Sequence, residues 1–126
     1  MSNVQKIKYS VSRYDFSVMK YATSITATFL PDGSLNIKHY APGSRKVLEI
    51  EKHQLTPETF NQLYADLRQC IDKANTIIQY VDDSDAELSI FYFPQRTETM
   101  PRGLGNEDQT VGSIFTELVA RYSDKW

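Results

Sequence analysis

The feature that most restricts how this chain folds is a period-two alternation filling its first half. In KIKYSVS (6–12), Ile7, Tyr9 and Val11 alternate with Lys6, Lys8, Ser10 and Ser12. In YATSITATFL (21–30), Tyr21, Thr23, Ile25, Ala27 and Phe29 form one row against Ala22, Ser24, Thr26 and Thr28. SLNIKHY (34–40) sets Leu35, Ile37 and His39 against Asn36, Lys38 and Tyr40, and KVLEIE (46–51) sets Leu48 and Ile50 against Val47, Glu49 and Glu51. Successive strand residues point to opposite faces, so each run predicts a strand with one buried and one wet face, as antiparallel sheets have. By that phase the aliphatic row, Leu48 and Ile50 included, is the buried one.

Pro31-Asp32-Gly33 joins the second and third runs. Proline presets φ, aspartate suits the next turn position and glycine supplies φ > 0, which together predict a tight hairpin.

The spacing then changes. Thr56-Pro57-Glu58 supplies a hydroxyl cap, a proline for the first helical position and an acid for the positive end of the dipole. Phe60, Leu63, Tyr64, Leu67, Cys70, Ile71 and Ala74 recur at helical spacing, a stripe wide enough to cover a sheet face. Two continuations stay open for 75–81: Ile77, Ile78 and Val81 extend the stripe, or Asn75-Thr76 and the β-branched pair break it into a short strand.

Asp82-Asp83-Ser84-Asp85 reads as a polar turn, and ELSIFYF (87–93) as a strand that is central or covered on both sides. Pro94 ends it, and Thr97 to Met100 returns as an edge strand that Pro101 stops from pairing further. A last helix is expected from about Asp108 to Tyr122, with Val111, Ile114, Phe115, Leu118, Val119 and Tyr122 inward. The order ββββ-α-β(β)-α implies an α+β two-layer sandwich, an antiparallel sheet of about five or six strands packed on one face by two helices. Residues 1–126 are expected to form a single domain.

Composition narrows the function. One cysteine, Cys70, excludes an intramolecular disulfide and a multi-cysteine zinc site. The first residues lack the apolar core of a signal peptide, and no run approaches the ~18 apolar residues of a membrane span. A soluble, cytoplasmic protein without membrane partners is expected. Charge is split: residues 1–53 carry eight Lys/Arg and four Asp/Glu, residues 54–126 six and twelve. Such asymmetry marks either a partner surface or a solvated face.

TMPRGLGNEDQT (99–110) is the most site-like stretch. Arg102, Gly103 and Gly105 before a helix could cradle an anion. However, the spacing matches neither phosphate-loop glycine pattern, and Glu107 and Asp108 stand where the phosphate would sit. Those acids satisfy the helix dipole themselves, so a bend and a cap are expected, with Asp108 as the capping residue.

The acidic run 82–87 fails the calcium-loop pattern at Leu88 and Pro94, and no metal or cofactor is assigned. Cys70 lies on an apolar stripe, His39 is in phase with Leu35 and Ile37, and His53 precedes a helix cap and is expected to be exposed. No known nucleophile or metalloprotease signature is present, so no catalytic residue is assigned. For nucleic acid, a stacking platform needs aromatics on the wet sheet face. Tyr9, Tyr21 and Phe29 share the aliphatic phase, leaving only Tyr40 among Lys6, Lys8 and Lys38, and a pI near 5.6 disfavours a strong phosphate binder.

By elimination, the expected function is that of a small non-enzymatic protein-interaction module, as in bacterial or phage accessory, inhibitor or immunity-type proteins. It would act as a monomer or homodimer on a protein partner, with Phe91, Phe93 and Trp126 as patch candidates. An anion- or ligand-binding domain at Arg102 is the alternative, and nucleic-acid binding through the basic sheet ranks third. A deep pocket beside Arg102 would favour the alternative; a flat, apolar, well-ordered patch or a paired sheet edge would favour interaction.

Overall fold

The structure is a computed structural model that describes residues 3–15, 20–41, 46–77, 84–106 and 109–122. The four alternating runs become β1 (Val4–Asp15), β2 (Lys20–Phe29), β3 (Ser34–Tyr40) and β4 (Val47–Gln54). Helix α1 (Pro57–Asp72), the short strand β5 (Thr76–Ile77), β6 (Ser84–Tyr92), β7 (Arg96–Pro101), the short strand β8 (Leu104–Gly105) and helix α2 (Val111–Tyr122) follow. Six strands form one sheet in the order β4-β3-β2-β1-β6-β7, antiparallel at every pairing. β5 and β8 make a separate two-stranded ribbon. The architecture is the expected α+β sandwich, with two helices packed on an antiparallel sheet.

The β2–β3 hairpin forms at Pro31-Asp32-Gly33. Gly33 N–H donates to Leu30 O (2.9 Å) and Leu30 N–H to Ser34 O (2.9 Å). Asp32 Oδ1 accepts the Ser34 N–H at 2.8 Å, and that bond holds the Asp32 carboxyl below its ordinary range. Gly33 has φ +94°, and a Cβ there would come within 2.5 Å of Leu55 O, so the turn admits only glycine without rearrangement.

At the start of α1, Thr56 Oγ1 accepts the Thr59 N–H (3.1 Å) and Pro57 takes the first helical position. Phe60, Leu63, Leu67 and Cys70 turn inward. The helix stops at Asp72, Asn75 N–H donates to Gly105 O (3.2 Å), and the chain continues as β5, the second of the two open continuations. Ile78 and Val81 lie outside the described residues.

The core joins Ile7, Tyr9, Val11, Ile25, Ala27, Phe29, Leu35, Ile37, Leu88, Ile90, Tyr92 and Met100 of the sheet to the helical stripes. Phe29 meets Phe60 edge-on (centroids 5.3 Å apart, 89°), and Tyr9 packs on Phe115 (5.2 Å). β6 lies between β1 and β7, and Phe91 on its far face is half-buried beneath Lys6 rather than under a second layer. Among the described residues, no helix is long and apolar enough to cross a membrane.

Two expectations are corrected. First, α2 begins at Val111, not near Asp108. Thr110 is the cap: its Oγ1 accepts the Ser113 N–H (3.2 Å) while Ser113 Oγ accepts the Thr110 N–H (3.0 Å), a reciprocal pair between residues three apart. Second, β4 is inverted relative to its aliphatic phase. Its register places Glu51 beside Ile37 and His53 beside Leu35, so the polar row lies on the core side. Ile50 lies beside Lys38 on the open side, and Leu48 sits at the irregularity opposite Tyr40; the two are 47% and 61% exposed.

Candidate functional site

The inversion of β4 turns aliphatic side chains outward on a sheet edge. Five large hydrophobic side chains are exposed among the described residues, and three of them, Val47 (41%), Leu48 and Ile50, fall within four consecutive positions of this strand. β4 is also an outer strand of the sheet. Natural edge strands are ordinarily blunted by charge, proline or cover, so exposed aliphatics there mark a pairing site or an aggregation hazard.

The core side of the same strand carries a polar cluster. His39 Nε2 lies 2.5 Å from Glu51 Oε1, and His53 Nε2 lies 3.3 Å from Glu51 Oε2. The His53 ring faces Tyr122 of α2 at 6.1 Å. His53 is therefore half-buried against a carboxylate, not exposed as expected, because the register with β3 brings it to the rim of the helix layer. Both imidazoles turn the same ring nitrogen onto one carboxylate. Among the described residues, no group of three or more His, Cys, Asp or Glu is placed to hold a metal ion.

The Arg102 stretch is built into the fold. Arg102 O accepts the Gly112 N–H (2.9 Å), and a Cβ on Gly112 would come within 2.6 Å of Arg102 Cβ, so the loop lies directly on the first turn of α2. Gly103 and Gly105 are buried. Gly105 has φ +153° and bridges Thr110. A Cβ at Gly105 would meet Gln109 O at 2.3 Å. Asn106 closes the turn, its Oδ1 accepting the Gln109 N–H (3.0 Å). Glu107 and Asp108 lie outside the described residues. A groove of about 470 Å³ runs between α1 and α2, floored by Leu63, Ile114 and Leu118 and edged by Glu58, Asp66 and Glu117. A smaller cavity of about 290 Å³ lies beside Ser34 and His53. Neither is lined by Arg102, Gly103 or Gly105.

The basic residues lie on the sheet face away from the helices. Lys8 stands in one row with Thr28, Asn36 and Lys52, and Lys38 sits between Thr26 and Ile50. Lys8 and Lys38 are exposed and Tyr40 is half-buried. Lys6 Nζ sits 4.8 Å from the Phe91 ring centroid. Phe93 is 58% exposed; Trp126, Asp82 and Asp83 lie outside the described residues. The site candidates are thus scattered over a sheet face, a strand end and a helix–loop junction.

Cys70 is buried, its Sγ 3.7 Å from both Leu104 O and Gln109 O, and burial pushes its thiol pKa up. A thiol of that kind is a poor nucleophile.

One polar constellation has no counterpart in the sequence patterns. Arg68 Nη1 donates to Glu98 Oε1 (2.6 Å) and to Tyr92 OH (3.1 Å), Tyr92 OH donates to the same carboxylate oxygen (2.6 Å), and Tyr64 OH lies 3.2 Å from Tyr92 OH. The Arg96 guanidinium stacks 4.1 Å over the Tyr92 ring. The bond from Arg68 holds the Glu98 carboxyl below its ordinary range, and burial, then the Glu98 bond, raises the Tyr92 hydroxyl. None of these residues lines either cavity, and the cluster acts as a clasp joining α1 to β6 and β7. The local signal that could have pointed to Arg68 is its spacing from Asp72, four apart on the helix and 3.2 Å away.

Compared with known proteins, the chain matches no protein-family model and no curated protein.

Proposed function

We propose that this chain is a non-enzymatic protein-interaction module whose docking surface is the outer edge of β4. The observation that carries it is the run Val47–Ile50, exposed aliphatic side chains on an outer strand. Leaving them in water has no folding benefit, since each large aliphatic gains about 1.5–3 kcal/mol on burial. A partner surface supplies that burial. The groove between the helices is lined mainly by carboxylate, amide and hydroxyl side chains with few apolar ones, unlike the mostly apolar pockets that hold small ligands, and the Arg68–Glu98–Tyr92 cluster is internally satisfied.

The test compares the parent with the double substitution Leu48→Lys/Ile50→Lys. Both sites are exposed, so the fold should tolerate the change, and lysine is a natural blocker of strand edges. Each immobilised protein is exposed to lysate of the native host, and retained proteins are identified by mass spectrometry. A protein held by the parent and lost by the variant supports the proposal. Identical retained sets, with both proteins folded by circular dichroism, overturn it.

A further inference from the structure

The backbone of β4 states how a partner would pair, and its side chains state which partner. Leu55 N–H donates to Gly33 O (2.8 Å), and the register continues Ser34–Gln54, Leu35–His53, Asn36–Lys52, Ile37–Glu51, Lys38–Ile50, His39–Glu49. Hydrogen-bonded pairs alternate along an antiparallel ladder. The bonds to β3 therefore belong to residues 49, 51 and 53, and the N–H and C=O of Ile50 and Lys52 point away from the sheet. The β2–β3 ladder agrees: Leu30 N–H donates to Ser34 O, so the even residues of β3 serve β2 and its odd residues serve β4.

A strand added there would bond to Ile50 and Lys52, and Glu49 and Glu51 would occupy the close, non-hydrogen-bonded positions, about 4.5 Å between Cα atoms. The added strand would place one row beside Leu48 and Ile50 and the other beside the two glutamates. Opposite charges and apolar pairs across strands are favourable, and like charges are not.

A second copy of this chain fits poorly by the same rule. Two-fold antiparallel self-pairing that overlaps five or more residues of β4 centres on Glu49, Ile50, Glu51 or Lys52. Those registers set Glu49 against Glu49, Glu49 against Glu51, Glu51 against Glu51 and Lys52 against Lys52. Each places like charges at or beside the centre of the pairing, a device that natural edges use against self-association.

Resting on the interaction proposal above, we infer that β4 receives an antiparallel strand from a different protein, one in which lysine or arginine alternates with aliphatic residues. The cations face the exposed Glu49 and, beside it, the carboxylate of Glu51, which keeps its bonds to His39 and His53; the aliphatics cover Leu48 and Ile50, and the outward groups of Ile50 and Lys52 carry the ladder.

The test uses the isotope-labelled full chain and a capped eight-residue peptide alternating lysine with valine and isoleucine. A counterpart carries glutamate in place of lysine. The lysine peptide should slow amide exchange of Ile50 and Lys52 at least ten-fold at saturation, and the glutamate peptide should leave it unchanged. Ile50→Pro and Lys52→Pro each remove an outward N–H that β3 does not use, and each should abolish the response. If the proline variants do not fold, the two-peptide comparison on the parent decides. Absent protection, equal protection by both peptides, or a response that survives proline overturns the inference. So does a concentration-dependent dimer of the free chain, seen by sedimentation, that Ile50→Pro dissolves. Should host-protein capture depend on Leu48 and Ile50 while the lysine peptide fails, strand addition alone falls. If capture is indifferent to those residues, the interaction proposal itself falls.

Discussion

Replacing Glu98 by glutamine tests the clasp between helix and sheet, and its consequence depends on pH. The Glu98 carboxylate accepts from Arg68 and from Tyr92, both at 2.6 Å. Hydrogen bonds to a charged group are worth about 1.5–3 kcal/mol when buried. Both partners of the ion pair keep 30% side-chain exposure, which moves the value to the low end. Glutamine retains an acceptor and loses the charge, so the expected cost at pH 7 is about 1–2 kcal/mol. In a cycle with Tyr92→Phe, the coupling should be near 1 kcal/mol, since one short bond joins the two residues. Arg68 holds the folded carboxyl below the ordinary value of 4.5, so between the two pKa values the unfolded chain binds more protons. The stabilisation is therefore whole above pH about 5 and drains away as the pH falls through the folded value. Urea titrations followed by circular dichroism from pH 7 to pH 3 should show the parent and the Glu98→Gln variant converging in acid. A gap that stays constant across that range, or a coupling below about 0.3 kcal/mol, would refute the clasp.

Three further outcomes follow from the packing. Leu67→Ala removes a fully buried side chain from the middle of α1 and should cost roughly 2–5 kcal/mol by denaturant titration. Thr110→Ala breaks the reciprocal cap of α2 and should cost roughly 0.5–2 kcal/mol, with Thr110→Ser recovering most of it, measured by thermal melting. Gly105→Ala drives a Cβ toward Gln109 O at a backbone angle that disfavours side chains, and should cost roughly 1–3 kcal/mol. It should also deprotect the Asn75 amide, which bonds to Gly105 O, in hydrogen exchange.

The elements legible in the sequence are those whose signal is local. Pro31-Asp32-Gly33 specifies its own turn, and Thr56-Pro57-Glu58 specifies a helix start whose cap, Thr56 to Thr59, spans three residues. α2 carried a local signal that was read at the wrong residue. The acids at 107 and 108 suit a dipole, but the hydroxyl pair Thr110 and Ser113 satisfies two backbone and side-chain partners at once and sets the start. The clasp is illegible for a different reason. Tyr92 and Glu98 meet across the β6–β7 hairpin, but Arg68 reaches them from α1, 24 and 30 residues away in sequence, a contact that no short window contains.

The inversion of β4 follows from the width of the two layers. Six strands at about 4.8 Å spacing span about 24 Å from the first axis to the last. Two helices packed about 10 Å apart, each about 10 Å across, cover about 20 Å. One edge of the sheet must therefore stand at or beyond the rim, and in this molecule it is β4, whose core-side residues Glu51 and His53 contact His39, each other and the ring of Tyr122. The rule that an aliphatic row turns inward holds where a covering layer rewards it. At Ile25, Ile37 and Leu88 that layer is overhead and the phase is as the sequence implies. At Ile50 the open face is uncovered, while the core-side position belongs to Glu51, 15% exposed beside His39, so the ladder to β3 and that polar pairing choose the register rather than the hydrophobic pattern. On that edge Leu48 and Ile50 add nothing to the buried core, and that exposure is the ground on which the interaction proposal stands.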